Sequence, residues 1–228
     1  MSLSVETSQG LVVPPVRELP VVGGHLALDL ANTVDDPDGP ARHDHVATYP
    51  GLLQWSVRIG ALADPGARRL TELARARPRQ AAAALRRAHR LRALVTETFT
   101  DVAGGADDLS GQWAALQPFA VDALSHARLL PAGQTGTEVG PGAYALSWPA
   151  TEDLHAMLWP IAAAAVDLLT APELARVKRC TGCPWLFLDR SKNASRRWCA
   201  MNDCGTHAKI RRYVARRAAT RAGRSIRT

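Results

Sequence analysis

At 228 residues, 46% of them apolar, the chain carries enough hydrocarbon for a folded core, which excludes wholesale disorder. Its net charge of +7 is unevenly spread: from Arg176 onward 15 Lys/Arg meet only Asp189 and Asp203, a net +13, whereas residues 1–175 hold 13 basic and 19 acidic side chains, a net −6. All four cysteines lie between 180 and 204, which excludes a disulfide-knit secreted protein. The first residues lack the cationic start and apolar centre of a signal peptide. The longest apolar run, 157–169, is too short for a bilayer and contains Pro160 and Asp167. The expectation is a soluble, cytoplasmic protein with no membrane partner.

In chain order, residues 1–20, with Pro14, Pro15 and Pro20, read as an extended lead-in. Residues 25–33 alternate leucines with smaller or polar residues, which fits a strand, with a helix as the other reading. Residues 35–40 break any regular element. Residues 52–59 suit a short amphipathic helix ending near Gly60. Asp64 as N-cap and Pro65 at the first helical position open a helix towards Arg77. Pro78 starts a longer one, through Leu85, Leu91, Val95 and Phe99, stopped by Gly104-Gly105. Residues 108–124 suit another helix, with Trp113, Leu116 and Leu124 inward and Pro118 as a kink.

The glycine- and proline-rich stretch 131–142 reads as a loop, and 144–148 as a strand pairing with 127–130. Thr151 is placed to cap a helix containing Asp153 and His155 and running to about Thr170, with Pro172 marking its end. The fold class expected is α+β, mainly helical: a lead-in over 1–20, a mixed domain over 21–172 and a small module over 173–228.

In that module Cys180-x2-Cys183 and Cys199-x4-Cys204 are separated by fifteen residues. Zinc takes four thiolate or imidazole ligands in a tetrahedron, and four thiolates leave no open position, so such a site is structural. Gly182 lets the first pair fold round an ion, and the metal supplies folding energy that so short a module lacks. A thioredoxin-like pair needs a strand–helix context, and Pro184-Trp185 follows instead. An iron–sulfur cluster uses the same ligand type; the spacing and basic surround favour zinc, one per chain. Residues 185–189 and 196–199 would form a hairpin about a turn at 191–195, with Cys204-Gly205 leading into a helix through Ala208, Ile210, Tyr213 and Val214. That order of elements is the treble-clef arrangement.

The run Cys180-Thr-Gly-Cys-Pro-Trp-Leu-Phe-Leu-Asp-Arg-Ser-Lys-Asn, followed by Ser195-Arg-Arg-Trp-Cys-Ala-Met and Cys204-Gly205, resembles the CGNR-type zinc finger over about 176–217. The stretch Gly23-Gly24-His25-Leu26-Ala27-Leu28-Asp29-Leu30-Ala31-Asn32-Thr33 is similar to the opening of the ABATE domain, and Leu53-Gln54-Trp55 to its next helix. That resemblance implies a zinc-dependent regulator of transcription, stress- or ligand-responsive, with DNA as the partner of the finger. The chain departs from the family pattern at Thr206-His207, where Asn-Arg is usual.

The candidate nucleic-acid residues are Arg196, Arg197, His207, Lys209, Arg211, Arg212, Arg216 and Arg217, since each cation on a phosphate releases counterions. Ile210, Tyr213, Val214 and Ala218 would be the strip by which the last helix packs on the zinc hairpin. Alternatively, these cations only solvate a surface, and the module is a zinc-stabilised protein- or RNA-interaction element without sequence-specific DNA binding. His25, Asn32 and Trp55 are candidates for a small-molecule pocket; otherwise Asn32 satisfies a turn and Trp55 sits in the core. His43 and His45 read as exposed, with a second metal site between them as the lesser reading. A homodimer is compatible with DNA reading. Nothing resembles a nucleophile–base pair or a phosphate-binding glycine loop, so no enzyme activity is expected.

Overall fold

The computed structural model describes residues 19–36, 42–135 and 143–225, without the side chains of residue 135 and residues 218–225. Helices dominate it. α1 (Leu26–Ala31) occupies the stretch whose alternation suggested a strand. Ala27, Leu28, Asp29, Leu30 and Ala31 are all buried, so this short helix is covered on every side and leaves no amphipathic signature. α1 packs against α4 (Pro78–Gly104) and α7 (Leu158–Thr170).

β1 (Val34–Asp35) and β2 (His43–Asp44) form a minimal antiparallel ribbon. α2 (Tyr49–Arg58) begins where the Thr48 hydroxyl accepts from the Gly51 amide at 3.2 Å, and the chain turns away at Gly60 with φ +76°. α3 (Asp64–Ala76) starts on Asp64 itself, with Ala63 in the capping position. α4 runs for 27 residues, its Ala84, Ala88, Leu91, Val95 and Phe99 buried at helical spacing, and Gly105 ends it in the left-handed region.

α5 (Ser110–Ser125) buries Leu116, Phe119, Ala120 and Ala123. Trp113 and Leu124, expected inward, are exposed. β3 (Arg128–Pro131) pairs with β4 (Tyr144–Ser147) in the hairpin the sequence suggested, with Leu129 opposite Leu146. Between them α6 (Ala132–Thr135) is a single turn; the rest of the expected loop lies outside the described residues. α7 starts later than Thr151. There the Thr151 hydroxyl and the Asp153 carboxylate accept from the Asp153 and His155 amides, building consecutive turns instead of a helix. Among the described residues no helix is long and apolar enough to cross a membrane.

A 3-10 turn, Pro172–Arg176, leads into β5 (Val177–Arg179), which pairs antiparallel with β6 (Leu186–Leu188). This replaces the hairpin expected between 185–189 and 196–199. The reason lies on the other edge of β6. The Gly23 carbonyl accepts from the Leu188 amide at 2.8 Å, and the Asn32 side chain bonds both the amide and the carbonyl of Leu186, so no edge is left for residues 196–199. The treble-clef expectation is therefore left without the hairpin it placed between the two cysteine pairs. β6 is wholly buried, and one core runs from Leu19 to Cys204. α8 (Thr206–Ser225) then projects from a π-helical turn, Met201–Gly205.

Candidate metal centre and its basic flank

The turn between β5 and β6 carries Cys180 and Cys183; Cys199 arrives on an irregular segment and Cys204 in the π turn at the foot of α8. The four sulfurs lie within 4.8 Å of one another, with Cys183 to Cys199 at 3.5 Å and Cys199 to Cys204 at 3.8 Å. A tetrahedron with Zn–S bonds of about 2.3 Å has edges of about 3.8 Å. Gly182 makes the closure possible: a Cβ there would stand 3.1 Å from Cys204 Cβ and 3.4 Å from its sulfur. The amides of Gly182 and Cys199 both donate to Cys180 Sγ at 3.3 Å, as they would to a thiolate.

The crowding has an electrostatic consequence. The hydrogen bond from Cys199 pulls Cys183 down to about 6. That same bond, with burial and the neighbouring anions, pushes Cys199 up, and burial followed by the bond to Cys183 pushes Cys204 up to about 12. Together the sulfurs cannot all ionise without a cation among them. Cys180, Cys183, Cys199 and Cys204 thus suit a closed metal site whose ion would crosslink the module and hold no reacting ligand.

The segment that delivers Cys199 is clamped by Asp189, a residue the sequence reading passed over. Its fully buried carboxylate accepts from Lys178 Nζ at 2.7 Å, the Ser191 hydroxyl at 2.6 Å, and the Ser191 and Arg196 amides at 3.0 and 2.9 Å. Burial opposes its ionisation, but Lys178 and these donors outweigh burial and hold the carboxyl well below the usual carboxylate range. One signal was available: Asp189 is one of only two acids in a +13 tail. Arg176 adds bonds of 3.0 Å to the carbonyls of Asp189 and Ser191.

Of the eight candidate nucleic-acid residues, Arg196 is used internally. Its guanidinium lies 4.5 Å from the Phe187 ring centroid and donates to the carbonyls of Trp198, at 2.8 Å, and Cys199. Arg197 faces outward, 5.5 Å from the Trp198 ring centroid. With Thr181, Trp198, Ala208, Arg211 and Arg212 it lines a cleft of about 280 Å³ between the metal loop and α8. His207, Lys209, Arg216 and Arg217 are exposed on α8 but do not line that cleft; His207 Nδ1 lies 3.5 Å from Asp203, and Arg217 donates to the Tyr213 hydroxyl at 3.1 Å. Ile210, Tyr213 and Val214 do not pack on the hairpin as expected. All three are more than half exposed, because the body already covers β6, and the Ala218 side chain lies outside the described residues.

The three pocket candidates are not brought together around a cavity mouth. Asn32 gives its whole amide to Leu186, and Trp55 is buried in the core with no partner for Nε1. His25 precedes α1 with an unpartnered buried Nδ1, and burial lowers its pKa. His45 is not exposed: it is 5% accessible, its Nε2 lies 2.7 Å from Asp35, and its ring meets His43 edge-on. Among the described residues the four cysteines are the only cluster able to hold a metal ion.

Fold and site together define a zinc-finger protein whose finger is built into a helical body. Two family models match the sequence. The ABATE model, described as "Putative stress-induced transcription regulator", matches residues 24–172, and the CGNR zinc finger model matches 176–217. The first covers well over half of the chain, and the protein belongs to the ABATE family, with a CGNR zinc finger following. Neither family is an enzyme class. No curated protein matches the chain.

Proposed function

We propose that this protein is a zinc-dependent, DNA-binding transcription regulator, holding one zinc ion per chain on its four cysteines and gripping DNA phosphates with the flank of that site. The observation that carries this reading is the cleft shared by Arg197, Arg211 and Arg212 beside Trp198. Three guanidinium groups there face solvent on a module of net charge +13, and the metal loop fixes one wall of the cleft. Phosphate contacts of this kind position a protein on a duplex without reading its sequence. Regulation by stress or by a small molecule would belong to the ABATE body.

Deleting everything after residue 175 does not test the reading, since that would tear β5 and β6 from the core. The informative protein is the full chain with Arg197, Arg211 and Arg212 all changed to Ala, titrated into labelled duplex DNA at about 50 and about 200 mM salt. Affinity should fall at least tenfold at the lower salt, and the salt slope should shrink by about 2.7. Unchanged affinity would overturn DNA binding at this flank. The exposed Ile210, Tyr213 and Val214 favour, in that event, a protein partner for α8.

A further inference from the structure

On the face formed by α2, α3 and α4 lies a cleft of about 800 Å³, within the size range of small-molecule sites. α3 splits its surface in two. Leu70 is buried in the core and Leu73 packs against it, while Ala67, Thr71 and Ala74, one helical stripe, line the cleft with short side chains, Ala74 also touching the core at its edge. Leu53 and Val57 of α2 and Leu85 of α4 supply hydrocarbon opposite.

The polar groups of this cleft are divided in a way that selects a ligand. The Thr71 hydroxyl donates to the Ala67 carbonyl at 2.8 Å, the Tyr49 hydroxyl to the Leu154 carbonyl at 2.9 Å, and the Thr48 hydroxyl caps α2. Arg68 and Arg75 are different. They stand two helical turns apart on the rim, exposed, and neither has a partner among the described residues. Their neighbours Arg69 and Arg77 take Glu152 between them, so that carboxylate is used elsewhere. The single acid lining the cleft is Asp64, at the first residue of α3.

We propose that this cleft binds a small amphipathic organic anion, its hydrocarbon body against α2, α3 and α4 and its carboxylate at the Arg68–Arg75 rim. Arg forks match carboxylates, and charge-assisted bonds beside an apolar wall are the stronger kind. The assignment does not rest on nucleic-acid binding. It moves ligand recognition in the ABATE body away from His25, Asn32 and Trp55, none of which lines this cleft.

The test uses calorimetric titration of decanoate and decanol into the full chain and two variants of it. Decanoate should bind one per chain, and decanol, the same chain without the charge, at least tenfold more weakly. In the variant Arg68→Ala/Arg75→Ala, decanoate should fall to the level of decanol while decanol is unchanged. Ala74→Trp, which fills the wall, should abolish both while helical circular dichroism and metal content stay at their normal values. Equal binding of decanoate and decanol to the unaltered protein would overturn the proposal. So would no binding of either, or a decanoate preference that survives removal of both arginines, which would place the anion on the basic tail.

Discussion

The side chain of Asn32 pairs with the backbone of Leu186 as a neighbouring strand would: Oδ1 accepts from the Leu186 amide at 2.8 Å and Nδ2 donates to the Leu186 carbonyl at 2.8 Å. Two further bonds lie on either side. The Gly23 carbonyl takes the Leu188 amide at 2.8 Å, and Trp185 Nε1 donates to the Val34 carbonyl at 3.1 Å. The zinc finger is thus joined to the ABATE body through the first motif of the chain. Gly23 itself has no room for a side chain, since a Cβ would meet Asp29 Oδ1 at 2.8 Å. Replacing Asn32 by Ala leaves a buried donor and acceptor unpaired, which costs about 1–3 kcal/mol for each group. Denaturant titration should show N32A destabilised by about 2–6 kcal/mol, with Asn202→Ala, on an exposed position, near neutral.

The chain discloses some of this and hides the rest for physical reasons. α4 was legible because Pro78 suits the first turn of a helix, Gly105 ends it left-handed, and Ala84, Leu91 and Val95 recur at helical spacing. The four cysteines were legible because ligand spacing is local. α1 was not, since a six-residue helix buried on every side carries no period. Asn32 was not, because its partner lies 154 residues away. Arg196 and Arg197 are adjacent and chemically identical in sequence. Which of them turns inward depends on Phe187 and on the carbonyls of Trp198 and Cys199 across the loop.

Metal removal should be felt through the whole molecule. Cys180, Cys199 and Cys204 belong to the same core as Leu28 and Phe187, so the site is a crosslink inside one cooperative unit. Elemental analysis should find about one zinc per chain, and Cys183→Ser should lose it. Calorimetry should then show a single transition at lower temperature for the variant. An unchanged main transition with a separate early one would mean that the finger folds apart from the body.

Asp29 sets a pH dependence of the less common sign. Burial raises its pKa to about 6, against hydrogen bonds from the Gly23 and Val22 amides that lower it. Its folded pKa is above the unfolded value of about 3.9, so the folded state binds the extra proton between them. This group's contribution is therefore full below about 4 and is lost as pH rises to about 6. Asn at 29 can still accept from Gly23 but does not titrate. The stability difference between D29N and the unaltered protein should shift in favour of D29N by about 2–3 kcal/mol on going from pH 4 to pH 7. Urea midpoints at the two pH values measure it, and a flat difference would show that Asp29 is ionised at no cost.

The neighbouring arginines 196 and 197 give opposite predictions from one chemical change. Arg196 braces the loop that presents Cys199, through the Phe187 ring and two backbone carbonyls, so Arg196→Ala should lower the melting temperature and speed metal loss to a chelator. Arg197 is exposed beside Trp198 and touches the metal loop mainly through its own backbone, whose carbonyl accepts from the Thr181 amide at 3.0 Å. Arg197→Ala should leave melting and metal retention unchanged, weaken duplex DNA binding, and reduce the salt slope by about 0.9, the share of one phosphate contact. The reverse substitution is available at the start of the cleft's helix. His207→Arg restores the arginine of the family pattern and adds a permanent charge on the exposed first turn of α8. If the phosphate track extends from Arg197 to that turn, H207R should steepen the salt slope by about the same 0.9; an unchanged slope would end the track at Arg211 and Arg212.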